Sequence, residues 1–343
     1  MWPKKIQQFI LTQNQPKFRT NQAIAAFCKF GAKSFADVRV WPNALRETAD
    51  KTITAMSFVK TQIFQSRDRS TYKATLQLID GSMIETVLMS PKPGVYSVCI
   101  SSQVGCAMNC AFCATGKMGL QRSLTAEEII DQVLFWIQYN QEHHLFDRLH
   151  NIVYMGMGEP LANLTAVEES LRILIDSQAF NFSTRHISVS TSGLVLGIAH
   201  FAKHWPQINL AVSLHNAIED ERTELMPINK TYSLVKLQKA LQNYFHYANR
   251  KVFIEYILLK DRNDTTRHAK ALIDFIQKID KPQLLHVNLI IYNETQAGFA
   301  GSSKETATVF MQKLKQAHIS VTMRKNMGRD ISGACGQLAG KNR

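Results

Sequence analysis

The spacing of apolar residues divides the chain into three regions. Over residues 1–55 apolar side chains recur at helical spacing, as at Ile24, Phe27 and Cys28, which predicts short helices. Over residues 56–92 apolar and polar positions alternate, and Asp80-Gly81 separates two such runs, which predicts a hairpin. We therefore expect a helical accessory region followed by a small antiparallel β extension. Cys28 falls on an apolar helix face and is predicted to serve packing.

Residues 93–343 alternate between short apolar runs and amphipathic segments, which predicts repeated strand–helix units. The predicted strands are 96–101, 151–155, 186–190, 208–213, 252–258, 286–291 and 320–323. One helix begins with a capping box at Thr125 and Glu128, and others are predicted at 166–176, 234–247, 266–279 and 304–317. About six such units imply an α/β fold with a parallel sheet. A partial (β/α)6-type or full barrel is preferred over an open doubly wound sheet, and either places the active site at the carboxyl ends of the strands.

Length bears on the number of domains, and net charge bears on the kind of partner. The 343 residues fit two domains, or one large domain with an accessory part. Lys and Arg number 40 against 27 Asp and Glu, and the net charge of +13 is as compatible with a polyanionic partner such as nucleic acid as with a generally basic surface. No targeting segment and no apolar run of about 18 residues is apparent, so a cytoplasmic protein without membrane association is expected.

Three of the six cysteines lie close together, on a loop directly after a predicted strand. Cys106, Cys110 and Cys113 have the spacing C-x3-C-x2-C, which indicates metal binding in a reducing compartment. Three thiolates can hold three corners of a [4Fe–4S] cluster and leave one iron open. S-adenosylmethionine can bind that iron through its amino and carboxylate groups and yield a 5′-deoxyadenosyl radical. Structural zinc, the main alternative, would need a fourth Cys or His, and no neighbouring residue supplies one.

Small and polar residues follow successive predicted strands. Each could be an ordinary turn residue, but parallel strands bring their carboxyl ends to one edge of a sheet. We therefore expect these residues to form a ring around S-adenosylmethionine: Gly158, Glu159, Ser190, Ser213, Leu214, His215 and Asn293.

Several motifs extend this interpretation. They are Cys99-Ile100-Ser101-Ser102-Gln103-Val104-Gly105-Cys106, Met155-Gly156-Met157-Gly158-Glu159-Pro160, Ser213-Leu214-His215, Met226-Pro227-Ile228-Asn229 and Ala334-Cys335-Gly336-Gln337-Leu338. Together they resemble the RlmN/Cfr family of radical S-adenosylmethionine RNA methyltransferases, from about residue 5 to residue 340. The resemblance implies a radical S-adenosylmethionine barrel over 93–343 with a C-terminal methyl-carrier cysteine loop, and cofactor contacts at the seven residues named above.

The resemblance also implies a two-stage reaction. Cys335 first accepts a methyl group by displacement. The radical then abstracts a hydrogen from this S-methyl group, and the carbon radical adds to an adenine ring. Attack by Cys99 on sulfur releases the methylated base and leaves a transient Cys99–Cys335 disulfide. Glu85 matches the family's proton acceptor, although an exposed strand residue is the alternative for this position.

The substrates implied by the resemblance are an adenosine in 23S ribosomal RNA and, for some members, one in transfer RNA. Flavodoxin or ferredoxin is the expected reductant, and a monomer is expected. The motifs Met157-Gly158-Glu159-Pro160 and Ile228-Asn229-Lys230 resemble those of family members that methylate C2 of adenosine. Methylation of C2 is therefore the preferred prediction. The spacing from Glu85 to Cys99 looks instead like the Cfr type, which methylates C8.

Two features near Cys335 complicate the comparison. Asp330-Ile331-Ser332-Gly333-Ala334-Cys335 departs from the Asp-Ile-Asp-Ala-Ala-Cys of many members, which puts the RNA fit there in question. Basic residues around this loop could hold phosphates or form a solvated tail: Arg324, Lys325, Arg329, Lys341 and Arg343. A radical enzyme with a non-RNA substrate and an RNA-binding protein with a structural metal are the rival hypotheses, and the pair Cys99 and Cys335 argues against the former.

Overall fold

A computed structural model describes residues 2–340 of the chain. The predicted helical region forms three helices, α1 (Trp2–Thr12), α2 (Phe18–Phe30) and α3 (Asn43–Thr52). They form a second apolar core, in which Phe27, Phe35 and Trp41 are buried together with Ile130, Leu134, Ile173 and Ala179 from further along the chain. Cys28 is buried in the same core, which confirms its predicted packing role. Lys341 and Arg343, interpreted as phosphate contacts or part of a solvated tail, lie outside the described residues.

The antiparallel extension is formed by β1 (Phe58–Gln65), β2 (Thr71–Leu78) and β3 (Met83–Lys92), followed by β4 (Val95–Cys99). The predicted hairpin joins β2 to β3, and Gly81 there has a φ of +86°. β3 pairs antiparallel with β4, with Val87 opposite Cys99. The extension is therefore continuous with the sheet that follows, and the predicted boundary at residue 92 falls within one ten-stranded sheet.

The cysteine loop lies within a small excursion after β4. It comprises β5 (Gln103–Gly105), the short helix α4 (Ala114–Lys117) and β6 (Leu120–Ser123), and β5 pairs with β6 outside the main sheet. The chain then enters α5 (Ala126–His143). Its predicted capping box is present, because Thr125 Oγ1 accepts from Glu128 N at 3.2 Å and Glu128 Oε2 accepts from Thr125 N at 2.8 Å.

The remaining strands run parallel to β4 and lie side by side in chain order. They are β7 (Leu149–Tyr154), β8 (Ile187–Thr191), β9 (Asn209–Ser213), β10 (Val252–Leu258), β11 (Leu285–Ile291) and β12 (Ser320–Met323). The helices between them are α6 (Leu164–Ile175), α7 (Val195–His204), α8 (Glu219–Leu225), α9 (Leu234–Tyr247), α10 (Thr266–Gln277) and α11 (Lys304–Gln316). Six βα units are thus followed by a last strand, without the reversal of order that a doubly wound sheet has. In the described part of the chain β1 and β12 are the sheet edges, as in a partial barrel.

Apolar packing explains this arrangement. The strands contribute side chains such as Ile152, Val212 and Val287, all fully buried, and the helices cover them in one continuous core. None of the helices within residues 2–340 is both long and apolar enough to cross a membrane.

A buried carboxylate joins the start of the antiparallel extension to α5. Asp131 accepts a hydrogen bond from Ser57 N at 2.7 Å, and burial raises the pKa of Asp131 to about 7. The folded state therefore keeps a proton that the unfolded chain loses, and the stability of the protein falls as pH rises toward 7. We expect Asp131→Asn to raise the free energy of unfolding by about 2 kcal/mol at pH 8 and by less at pH 5.5.

Urea unfolding of the two proteins at both pH values measures this difference. Asp274→Asn, at an exposed position, is the matched control and should leave stability unchanged at either pH. An equal gain for Asp131→Asn at pH 5.5 and pH 8 would contradict the ionisation argument.

Candidate active site

One cavity at the carboxyl ends of the parallel strands contains five of the six cysteines. Cys99 ends β4, Cys106, Cys110 and Cys113 come from the loop after β5, and Cys335 enters from the C-terminal segment. Gly158, Glu159, Ser190, Ser213 and His215 line the same cavity. The fold therefore brings together most of the residues that the sequence predicts for the site, over more than 230 positions of chain.

The cysteine loop is held by main-chain contacts. Cys106 N donates to Gly119 O at 2.9 Å, and Ala111 N donates to Leu225 O at 2.9 Å. Gly105 has a φ of +76°, and a Cβ atom there would lie 1.9 Å from Gly119 O, so only glycine fits. The ring of Phe112, between the last two cysteines, packs edge-on against His215 at 4.9 Å between centroids.

The donor set suits a thiolate-binding metal centre. Burial raises the pKa of Cys106 to about 12 and that of Cys110 well above its ordinary value, and the neighbouring cysteines raise the latter further. Without a cation these thiols stay protonated, whereas bound iron would stabilise the thiolates. Three soft sulfur ligands on one loop fit a cluster that lacks a fourth protein ligand.

Gly158 and Glu159 shape the loop after β7. Gly158 has a φ of +100°, and a Cβ atom there would lie 2.7 Å from Gln103 N. The buried carboxylate of Glu159 accepts from Ser192 N at 2.7 Å, from Ser192 Oγ at 2.8 Å and from Leu161 N at 3.1 Å. Burial raises its pKa, which these hydrogen bonds counteract. Glu159 thus fastens the end of β7 to the end of β8.

His215 follows β9 with a φ of +57° and is buried. Its Nδ1 accepts from Ile257 N at 3.1 Å, so the ring proton resides on Nε2. Burial lowers the pKa of His215 to about 3, which keeps the ring neutral. Leu214 is fully buried, and its N–H donates to Glu255 O at 3.1 Å. Ser190 Oγ donates to Tyr154 O at 2.7 Å and is therefore fixed at the cavity wall.

Asn293 offers an unused polar atom. Its side chain is buried, and its Oδ1 accepts no hydrogen bond from any part of the chain between residues 2 and 340. Buried polar atoms in native proteins are almost always partnered, so a donor from a bound molecule fits this position. S-adenosylmethionine carries such donors on its amino and adenine groups. Asn293 and Leu214 are not among the residues that line the cavity itself.

The alternative interpretation of Glu85, an exposed strand residue, is wrong. It is buried rather than exposed, and its Oε1 lies 2.9 Å from Lys73 Nζ, which is also buried. Its Oε2 accepts from Ala339 N at 2.7 Å, four residues beyond Cys335. Glu85 does not line the cavity. It instead fastens the C-terminal segment, together with Thr115 Oγ1, which donates to Leu338 O at 2.6 Å.

An ion pair beside Cys99 and Cys335 was not predicted as part of the site. Arg324 Nη1 lies 3.2 Å from Glu255 Oε2, and both residues line the cavity. The sequence interpretation of Arg324 was a phosphate contact or part of a solvated tail. Asn288 Nδ2 donates to Glu255 Oε1 at 2.9 Å and holds that carboxylate in place. A lone carboxylate in the apolar strand β10 was the sequence signal that could have revealed Glu255.

The two remaining cysteines differ in access. Cys335 is exposed to solvent, whereas Cys99 is buried. Burial raises the pKa of Cys99 to about 12. The protein around the cavity also raises the pKa of Cys335, and Arg324 acts in the opposite direction at both thiols. The thiol of Cys335 is thus accessible from solvent, whereas the thiol of Cys99 can be reached only from the cavity.

The close approach at Gly158 supports a prediction. Gly158→Ala should weaken S-adenosylmethionine binding by roughly tenfold or more, because the new Cβ would clash with Gln103 N and the φ is unfavourable. Equilibrium dialysis with the reconstituted protein measures this effect. Gly298→Ala is the control, because its φ is +78° but a Cβ atom there meets nothing within 4 Å. Equal effects of both substitutions would show that backbone strain, not the clash, is responsible.

A three-cysteine loop at the carboxyl ends of six βα units is the arrangement of a radical S-adenosylmethionine enzyme. The family described as Radical SAM superfamily matches residues 100–275. The chain is 36% identical to "Ribosomal RNA large subunit methyltransferase Cfr" of Shouchella clausii over 98% of this chain and 95% of the relative. It is 38% identical to the protein of that name from Clostridium botulinum strain Hall, over 98% and 97%.

A solved structure agrees with these relatives. The crystal structure of a radical SAM methyltransferase from Sphaerobacter thermophilus superposes with a TM-score of 0.93, at 37% identity, over 99% of this chain and 98% of the other. The chain therefore belongs to the RlmN/Cfr family of radical S-adenosylmethionine methyltransferases. Its cofactors are a [4Fe–4S] cluster and S-adenosylmethionine.

Proposed function

We propose that this enzyme methylates C2 of an adenosine in 23S ribosomal RNA, with Cys335 as methyl carrier and Cys99 as resolving thiol. The observation that carries this proposal is the convergence of Cys99 and Cys335 on the cavity that holds Cys106, Cys110 and Cys113. A radical enzyme that used its cofactor directly on a substrate would have no need of two further cysteines there. The names of the curated relatives support large-subunit ribosomal RNA as the substrate class.

Different residues would bind the cofactors and carry the methyl group. Cys106, Cys110 and Cys113 would hold the cluster, and the ring from Gly158 to Asn293 would hold S-adenosylmethionine. The bound cofactors supply a methyl group and a 5′-deoxyadenosyl radical. Cys335 takes the methyl group as a thiolate, and Arg324 favours this charged form. Once the carbon carried by Cys335 is bonded to the adenine ring, Cys99 attacks the sulfur of Cys335. The S–S bond forms as the S–C bond breaks, and the released carbon keeps the electron pair of that bond and takes up a proton.

Glu85 is the proposed proton acceptor for the ring hydrogen. Because both its oxygens are engaged, by Lys73 and by Ala339 N, it can take that proton only when the C-terminal segment shifts. Such a shift fits a reaction in which Cys335 must serve first the methyl donor and then the RNA base.

The RNA base must leave its stack to reach the cavity. The helical region and the antiparallel extension are the proposed docking surface, supported by the net charge of +13. Transfer RNA is a second proposed substrate. Flavodoxin or ferredoxin is the proposed reductant, and the enzyme is proposed to act as a monomer.

C8 of adenosine is the second candidate position. It is favoured by the name Cfr among the curated relatives and by the Cfr-type spacing from Glu85 to Cys99. Mass spectrometry of ribosomal RNA from cells with the protein, without it, and with Cys335→Ala distinguishes the two. A methyl group at C2 that requires Cys335 supports the proposal, and one at C8 replaces it by the alternative. Methylation of neither carbon would favour a substrate other than ribosomal RNA.

A further inference from the structure

Arg222, in α8, is a charged residue for which the reaction described above has no role. Its side chain is 1% exposed, and no carboxylate within residues 2–340 forms an ion pair with it. Its guanidinium donates only to neutral acceptors: Nε to Leu214 O at 3.1 Å, Nη2 to Ser192 O at 3.0 Å and to Ser213 O at 3.4 Å, and Nη1 to Asn229 Oδ1 at 2.6 Å.

These hydrogen bonds satisfy the donors of Arg222 but not its charge. A buried cation without an anionic partner is strongly destabilising, so its presence indicates a compensating role. The nearest acid in the network is Glu219, which is exposed and reaches Arg222 only through Asn229, whose Nδ2 donates to Glu219 Oε1 at 2.7 Å. Burial lowers the pKa of Arg222 to about 10, so the guanidinium is still protonated at neutral pH.

The position of Arg222 indicates what its charge faces. Three of its acceptors are backbone carbonyls at the ends of β8 and β9, next to the proposed cofactor residues Ser190 and Ser213. The same helix supplies Leu225 O, which holds the cysteine loop through Ala111 N. The helix that carries Arg222 thus contacts the cysteine loop through Leu225 and the ends of β8 and β9 through Arg222 itself.

A net negative charge enters this region when the cluster binds, because three cysteine thiolates outweigh the charge of an oxidised [4Fe–4S] core. We propose that Arg222, fixed by Asn229, is the counter-cation of this loaded site. The role also explains the Met226-Pro227-Ile228-Asn229 motif, since Met226 lines the cavity and Asn229 orients the guanidinium.

A reduced cluster carries one more negative charge than an oxidised one, so a fixed cation favours reduction. Arg222→Gln should therefore shift the reduction equilibrium of the cluster at least tenfold toward the oxidised form, which is about 59 mV for one electron. Arg222→Lys keeps the charge and should stay close to the wild type. Arg267→Gln, on the neighbouring surface with a side chain that is 67% exposed, is the matched control.

The readout is a redox titration followed by electron paramagnetic resonance, on reconstituted enzyme without S-adenosylmethionine and without RNA. The result depends on the cofactors of the family and not on the proposed substrate, so a wrong RNA assignment would leave it unchanged. Equal potentials for Arg222→Gln, Arg222→Lys and the wild type would overturn the proposal. Equal losses in Arg222→Gln and Arg222→Lys would show that the forked geometry, not the charge, matters, and would overturn it as well.

A second variant tests the same charge with Arg222 in place. Asn229→Asp combined with Glu219→Gln leaves the net charge of the protein unchanged but moves a carboxylate from the surface to the partner atom of Arg222. This pairing should neutralise the cation and lower the potential in the same direction as Arg222→Gln. If Arg222→Gln fails to load iron, the double variant decides, and a wild-type potential in it would overturn the proposal.

Discussion

A Cys99→Ala variant should accumulate a covalent adduct with its RNA and release almost no methylated product. In the proposed reaction the carbon carried by Cys335 becomes bonded to the adenine ring while still attached to sulfur. Only attack by a second thiol on that sulfur frees the base. Cys99 is the buried cysteine that shares the cavity with Cys335 and is not one of the three cluster cysteines. We expect turnover to fall by roughly 1,000-fold or more, since no other group takes over this step.

The adduct can be detected on a denaturing gel with labelled RNA and identified by mass spectrometry of the linked peptide. Cys335→Ala should form neither adduct nor product, because the methyl carrier is absent. Cys28→Ala replaces a buried cysteine of the helical core and should keep normal turnover. Efficient turnover by Cys99→Ala, or an adduct in Cys335→Ala, would contradict the assignment of the two thiols.

Replacing Lys73 by Met should destabilise the protein and loosen the C-terminal segment. The Lys73 and Glu85 side chains are 5% and 2% exposed, so the substitution would leave a buried carboxylate without its cation. Breaking such a pair costs about 3 kcal/mol. Glu85 would then take up a proton or turn away, and its hydrogen bond to Ala339 N, four residues from Cys335, would weaken.

Hydrogen exchange over residues 334–340 and chemical unfolding measure the two effects. Lys4→Met removes the exposed pair with Glu169 and should change the free energy of unfolding by less than about 1 kcal/mol. Adding Glu85→Gln to Lys73→Met should restore much of the stability, because neither buried charge remains and the Gln carbonyl can still accept from Ala339 N. It should not restore methylation if Glu85 accepts the substrate proton. No coupling between the two substitutions would show that the pair is not the anchor.

Some features of the fold and of the site could be predicted from short stretches of sequence, and others could not. The spacing of Cys106, Cys110 and Cys113 and the capping box of α5 are signals within a few residues. α7 and α8 were not predicted, since α7 contains Gly197 and α8 reads as a polar stretch of seven residues. Glu85 and Ala339 are 254 positions apart in the sequence, and no local pattern near either residue predicts their hydrogen bond.

Charged residues were the hardest to place. Arg222, Glu255 and Glu85 are almost fully buried, whereas composition alone favours the surface for such side chains. Their burial depends on partners contributed by other strands, so it emerges only when the sheet is assembled.

The pairing of β3 with β4 limits how the chain can be divided. Removal of residues 1–92 would strip β4 of its antiparallel neighbour and leave a strand of mostly buried residues as a bare edge. Such edges recruit other chains, so the shortened protein should aggregate rather than behave as an isolated catalytic domain. The same truncation would remove Lys73 and Glu85, and with them one attachment of the methyl-carrier segment. The three N-terminal helices are no easier to remove, because their apolar core includes Ile130 and Leu134 of α5 and Ile173 of α6, which would become exposed.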